Sequence, residues 1–423
     1  MGDDRDVEPS AIGLVEDLFR NEHAHLIAAL TRTLGTSNLA LAEDVVQDAL
    51  VRAMHAWRFG PPRDPKAWIV RAARNRAIDI IRRERRGASL LPELANIAAV
   101  TDTIDAALAP EADRGNQLAM MFAVCDPALT PETHVTLILR WLCGLSPKEI
   151  GQAFLVDTKT IDRRLHRGKA RLRELGRLVD VDHLPDLEER RGSVLQALYL
   201  LFNEGYHGSN PREPVRPFLC TDALRLTEML LDTSATAHPD VSPLAALFCF
   251  DIARLSTRLD AEGVFVPLEE QDRTRWDWAL IERGLGHLAG SAAGDRMSRW
   301  HLEAGIACEH AVAPSVRATD WGRIVAFYDL LVAQAPGPIV ALNRALAVAE
   351  RDGVEEGRRQ LVEVAGDKKL ARYPFYWAAL ADLQRRADRP AEARASYERA
   401  IELSRSPAER ASYRRRLDLL EVS

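Results

Sequence analysis

Asp64-Pro65-Lys66-Ala67-Trp68-Ile69-Val70-Arg71-Ala72-Ala73-Arg74-Asn75-Arg76-Ala77-Ile78-Asp79-Ile80-Ile81-Arg82 is the stretch on which the fold turns. Asp64 suits a helix cap because its short carboxylate accepts the free amides of a first turn. Pro65 suits that turn because the N–H it lacks is not needed there. Trp68, Ile69, Ala72, Ala73, Ala77, Ile80 and Ile81 can then share a buried face. Arg71, Arg74, Asn75, Ile78, Arg82 and Arg86 fall on the other side. A stripe of arginines around an asparagine suits a helix that lies on DNA: arginine neutralises phosphate and reads guanine, and asparagine reads adenine. A charged exposed face without a partner is the plain alternative.

The helix before it spans roughly Asn38–Trp57, with Leu39, Ala42, Val46, Ala49, Leu50, Ala53 and Trp57 on its buried side. Glu43, Asp44, Gln47 and Asp48 are expected outside. Asp44 and Asp48 stack at i, i+4, where like charges cost a few tenths of a kcal/mol. A basic protein partner would turn that cost into attraction.

Further out, alternating β-branched runs are absent and i, i+3, i+4 apolar spacing recurs from end to end, so the chain reads as all-α. Four blocks emerge: 11–86, a helical block ending basic; 87–112, an acidic linker with Glu93, Asp102, Asp105 and Glu111; 113–178, a second helical block ending basic; and 185–423, a long helical tract broken by Pro and Gly turns.

Charge follows the blocks. The net charge is only −6, but residues 63–86 hold nine bases against three acids and residues 158–177 hold eight against two. Two basic patches in an acidic chain suggest two contacts with a polyanion, a solvated charged face being the alternative for either one. The acidic start Met1-Gly2-Asp3-Asp4 lacks the basic flank of a secretory signal, and no apolar run approaches a membrane span, so a cytoplasmic protein without a membrane contact is expected. Cys125, Cys143, Cys220, Cys249 and Cys308 are widely spaced with no CxxC pair, and read as buried free thiols. His23 and His25 are two apart, on different faces of a helix, and no HExxH occurs. No metal and no cofactor are expected, and without a nucleophile–base pattern or phosphate loop an enzyme is not expected either.

The motifs Ala42-Glu43-Asp44-Val45-Val46-Gln47-Asp48-Ala49, Trp57, Pro65-Lys66-Ala67-Trp68-Ile69 and Arg74-Asn75-Arg76-Ala77-Ile78-Asp79 resemble region two of extracytoplasmic-function sigma factors. The resemblance implies that Asp44, Gln47 and Asp48 contact the β′ clamp of core RNA polymerase. It implies that Arg71, Arg74, Asn75 and Arg82 face the −10 element of promoter DNA.

Residues 145–175 read as a helix-turn-helix. Ser146 caps the first helix, with Pro147 at its first position and Glu149 three residues on, the pattern of a capping box. Leu155-Val156-Asp157 makes the turn, and the second helix runs from about Thr158 through Glu174. Ile161, Leu165, Gly168, Leu172 and Leu175 form its apolar back, while Lys159, Arg163, His166 and Arg167 point away. An apolar back and a basic front suit a recognition helix in a major groove, although helical hairpins of this kind also occur without DNA. The block resembles region four of the same sigma factors, which implies that Thr158, Lys159, Arg163, His166 and Arg167 contact the −35 element and that the block meets the β flap of polymerase. Cys125-Asp126-Pro127-Ala128-Leu129-Thr130-Pro131-Glu132 is similar to the subgroup that carries a C-terminal tetratricopeptide-like extension.

Residues 374–407 fit one such repeat, with Trp377, Leu380, Ala381, Ala393, Tyr397 and Ala400 at its packing positions. Ala345, Gly357, Leu361 and Val364 mark a weaker copy, and Trp321, Ile324, Tyr328, Leu331 and Pro336 part of a third. Leu198–Tyr206, Glu269–Arg273 and Ala341–Ala345 resemble the subgroup's signatures after region four. The resemblance implies that this half regulates the protein through a protein or small-molecule partner. A free-standing regulator with one helix-turn-helix and a sensing domain is the competing reading, and the first block, a second DNA-reading unit beside an acidic helix, speaks against it.

Overall fold

Helix after helix begins on a proline. Pro110, Pro131, Pro217, Pro338, Pro374 and Pro390 each occupy a first turn, where the fixed φ is already helical and no N–H is missed. The computed structural model describes residues 11–57, 60–86, 97–154, 156–208, 213–291 and 297–422. No β-strand occurs among them, only an isolated antiparallel bridge between Leu259 and Phe265. The chain is all-α and divides into two units, residues 1–200 and 201–423.

The first unit holds α1 (Ala11–Leu34), α2 (Leu39–Ala56), α3 (Pro65–Arg86), α4 (Ile97–Ala107), α5 (Pro110–Val124), α6 (Pro131–Trp141), α7 (Pro147–Phe154), α8 (Thr158–Leu175) and most of α9 (Leu187–Tyr206). The local signals hold. Asp64 Oδ1 accepts from the Ala67 amide at 2.9 Å, and the Ser146–Glu149 capping box closes in both directions, at 2.7 and 3.2 Å. Asp157 caps α8 by accepting from the Lys159 amide. Leu155 of the expected turn lies outside the described residues.

Two expectations change. The stretch 87–112 is not simply a linker: residues 87–96 lie outside the described residues, but 97–107 are helix α4 and Pro110 opens α5. Ile104 is fully buried, because α4 packs on α1 and α3. The acids of α4 conceal that apolar side from a periodicity reading. The two basic blocks, expected as separate domains, also pack together within the first unit. Glu43 of α2 accepts from Arg140 Nε at 2.9 Å and Trp141 Nε1 at 3.2 Å, and pairs with Lys169 Nζ at 2.7 Å. Arg32 pairs with Asp180, and the Thr36 amide donates to the Gly176 carbonyl.

A second buried ion group ties the C-terminal end of this unit. Asp126, 1% exposed, pairs with Arg171 at 3.0 Å and Arg190 at 2.8 Å, and Arg190 also donates to the Phe122 carbonyl. An unpaired charge at such depth costs several kcal/mol, so the start of α9 is held to the first unit and the division falls later than residue 185.

The second unit holds α10 (Pro217–Leu231), α11 (Val241–Ala253), α12 (Trp278–Ser291), α13 (Arg299–Val312), α14 (Trp321–Gln334), α15 (Pro338–Asp352), α16 (Val354–Glu363), α17 (Pro374–Arg386), α18 (Pro390–Leu403) and α19 (Pro407–Val422). Each helix packs on its successor along the chain. Leu342, Ala345, Ala349, Leu361, Tyr376 and Leu380 share one core over α15–α17. Gly357 lets α16 lie against α15: a Cβ there would strike Ala349 and stand 2.7 Å from the Ala345 carbonyl oxygen.

Two matched substitutions test this packing. Gly357→Ala should destabilise the second unit by about 1–3 kcal/mol through overpacking. Gly286→Ala, on an exposed turn of α12 with nothing within 4 Å of the added carbon, should stabilise it by up to about 1 kcal/mol. Urea midpoints of the two variants check the opposite signs.

A pH test addresses the first unit. Burial and then the Arg140 charge push the His23 imidazole down to about 4; its Nε2 donates to the Arg140 carbonyl and Glu43 lies nearby. The folded value lies below the ordinary 6.5, so neutral His23 stabilises fully above about 6.5 and the contribution fades as pH falls toward about 4. That interval should cost roughly 3 kcal/mol, and His23→Gln should flatten the slope of stability against pH. Parallel curves for the two proteins would refute it.

Candidate nucleic-acid interface

The two basic helices are positioned by what lies behind them. Ile69, Ala73, Ala77 and Ile81 of α3 are buried, as expected, and so is Ile78, which the helical wheel places outside. Ile78 is flanked by exposed Asn75, Asp79 and Arg82, yet it is covered because α1, α2 and α4 pack on α3 from more than one side. Arg71, Asn75 and Arg82 are exposed. Ile161, Leu165, Gly168 and Leu172 form the buried back of α8, and a Cβ at Gly168 would strike the Leu137 side chain, so this helix sits directly on α6. Thr158, Lys159, Arg163, His166 and Arg167 all face solvent on the opposite side. Arg163 is braced along its own helix, donating to Thr160 Oγ1 at 2.9 Å and the Lys159 carbonyl.

Between α2 and α3 an open pocket of about 640 Å3 is lined by Arg52, His55, Ala56, Trp68, Arg71, Ala72 and Asn75. Trp68 meets Trp57 edge to face at 5.4 Å, and only half-buried, it presents an indole to the pocket. A flat ring, two arginines and an amide in one recess can stack and hydrogen-bond a planar, electron-rich group near a negative charge. Helical periodicity marks Arg71 and Asn75 as outward-facing but places Trp68 in the core and passes over Arg52 and His55. The recurrence of Arg52, His55 and Ala56 at three- and four-residue spacing is the signal that could have found them.

Arg74 is differently placed. Its guanidinium binds Asp105 of α4 through both oxygens, one bond at 2.6 Å, and the hydrogen bond from Arg74 holds the Asp105 carboxyl below the usual range. A carboxylate thus takes the bidentate position a phosphate would occupy. On the acidic helix α2, Asp44 and Gln47 are exposed, whereas Asp48 pairs with Arg52 at 2.6 Å and Arg76 at 3.5 Å. The expected repulsion between Asp44 and Asp48 is thereby relieved inside the chain. Glu43, expected outside with them, points inward. Burial alone would raise its carboxyl, but the Lys169 hydrogen bond and the Arg140 charge hold it below its ordinary value.

These features give the first unit two exposed basic helix faces, one of them beside the recess that holds the Trp68 indole. Residues 19–87 match the family described as Sigma-70 region 2. The chain is 29% identical over 148 residues to the ECF RNA polymerase sigma factor SigW of Bacillus subtilis (strain 168), covering 34% of this chain and 78% of that one. It is 29% identical over 154 residues to the ECF RNA polymerase sigma factor SigE of Mycolicibacterium smegmatis, covering 36% of this chain and 58% of that one. The N-terminal part is therefore that of a sigma factor, a DNA-recognition subunit and not an enzyme. Over 405 residues the chain is 36% identical to Uncharacterized protein R00370 of Rhizobium meliloti (strain 1021), covering 93% of this chain and 95% of that one, and it belongs to the same family as that protein. Residues 190–292 match a family of unknown function (DUF6596). No solved structure matches. No helix among the described residues is long and apolar enough to cross a membrane.

Asp105→Asn should release Arg74 and tighten binding to a short DNA duplex severalfold, with a steeper salt dependence by about one unit for the added phosphate contact. Fluorescence anisotropy at several salt concentrations measures this; an unchanged affinity and slope would show that Arg74 reaches no phosphate.

Proposed function

We propose that this chain is an extracytoplasmic-function sigma factor that binds core RNA polymerase and directs transcription initiation, through a −10 contact on the first block and a −35 contact on the second. The observation that carries the reading is the pocket between α2 and α3, where Trp68, Arg71 and Asn75 converge on the matched region-two domain. In this reading the pocket takes a base of the opened strand, Arg82 and a released Arg74 hold its backbone, and Thr158, Lys159, Arg163, His166 and Arg167 enter the major groove. Asp44 and Gln47 dock on the β′ clamp, joined by Asp48 if its arginine partners let go, and the second block meets the β flap.

The geometry of the promoter adds a requirement. The two elements lie about 25 base pairs apart, or roughly 85 Å of duplex. A compact 200-residue unit is only about 40 Å across. The two blocks must therefore part on polymerase, which breaks the Glu43 contacts to Arg140, Trp141 and Lys169. The packed form is a closed state, and polymerase selects an open one. The second unit, with helices paired in sequence order and glycine at a packing position, supports a tetratricopeptide-like extension that regulates this step through a protein or small-molecule partner. The place of work is the cytoplasm, where polymerase is.

Run-off transcription with purified core polymerase and the full chain tests the reading directly: promoter-dependent transcripts are expected, and none would overturn it. Arg163→Ala with Arg167→Ala should lower promoter affinity and reduce the slope of log affinity against log salt by about two units, at roughly 0.9 for each phosphate left unneutralised. An unreduced slope would remove α8 from the interface.

A further inference from the structure

The geometry points to a divalent-metal site in the second unit, with Cys249 Sγ, His287 Nε2 and a Glu228 carboxylate oxygen as ligands and zinc as the metal that best fits. The three residues come from three helices, α11, α12 and α10 in that order, and their ligand atoms all lie within 4.8 Å of one another. A tetrahedral zinc with bonds of about 2.0–2.3 Å sets such atoms about 3.3–3.6 Å apart. His287 Nε2 is already 3.1 Å from Glu228 Oε1, so the thiol side has little more than about an ångström to close.

The packing explains the convergence. Gly284 of α12 faces α11, and a Cβ there would stand 2.7 Å from the Phe250 ring. Its absence lets the two helices approach, and His287, three residues on, shares that face and comes opposite Cys249, the neighbour of Phe250. Cys249 is fully buried while the side chains of Glu228 and His287 are each 19% exposed, so the site is rooted in the core and open on one side. All three ligands lie inside the segment that matches the family of unknown function.

Binding a dication requires the site to give up one proton. Glu228 already sits between Arg283 and His287. Burial and the adjacent Glu228 carboxylate push the Cys249 thiol up to about 12, so the free protein keeps it protonated. A metal ion supplies the missing positive charge: the thiol proton leaves to solvent as the sulfur–metal bond forms, and His287 moves its proton from Nε2 to Nδ1 with no net change. Arg283 remains on the outer carboxylate oxygen of Glu228 and orients it. A thiolate, an imidazole and a carboxylate form a donor set suited to zinc or cobalt and poor for calcium or magnesium. A water or a further ligand would take the fourth position. The site is built wholly from the second unit and does not depend on the proposed function.

The test uses the full chain, stripped with a chelator and titrated anaerobically with cobalt(II). One equivalent should bind with a thiolate-to-cobalt charge-transfer band in the near ultraviolet, and zinc should displace it and raise the unfolding midpoint. Cys249→Ser should abolish the band, whereas Cys308→Ser, at the half-buried cysteine elsewhere in the unit, should leave it intact. His287→Gln, at a partly exposed position, should weaken binding by about a hundredfold. No band in the wild-type chain, a band that survives Cys249→Ser, or affinity unchanged in His287→Gln would each overturn the site.

Discussion

One carboxylate lies at the centre of the contact between the two blocks of the first unit. Glu43 sits on the acidic helix α2, yet it is turned away from Asp44 and Gln47 into a cradle of Arg140, Trp141 and Lys169 from the second block. A half-buried charge of this kind is tolerated only because its oxygens find donors, and removing one partner would strand the rest. The same contact brings together helices from the two basic blocks. It is strong enough to organise the free protein. Its groups are partly reachable by water.

Around this contact the basic groups fall into two conditions. The basic front of α8 and the pocket residues Arg71 and Asn75 are open to solvent, ready for a polyanion. Arg74 is covered by Asp105, an acid from the helix that follows the basic run. The acidic segment supplies that guanidinium with a carboxylate partner from within the chain and leaves the recess accessible.

The second unit is held together differently. Its helices meet through small residues at crossing points, Gly284 against Phe250 and Gly357 against Ala349, where a single carbon would push the helices apart. Close crossing allows short side chains to touch from three helices at once. That is why a cysteine, a histidine and a glutamate from separate segments meet in one place, although nothing in their spacing along the chain announces it.

Local structure is legible in the residues themselves. Asp64, the Ser146–Glu149 box, the first-turn prolines and the apolar backs of α3 and α8 each act within one or two helical turns, so their effect can be read from the chain. The sigma-factor motifs are legible for the same reason, being contiguous. The inward turn of Glu43, whose partner Arg140 lies 97 residues away, is not. Nor are the helix hidden in the acidic stretch, the covering of Arg74, or the assembly of Glu228, Cys249 and His287. A charge or thiol in an amphipathic pattern looks the same whether solvent or a distant partner satisfies it. Only the packed chain decides which, because the cost of burying such a group depends on what the rest of the fold brings beside it.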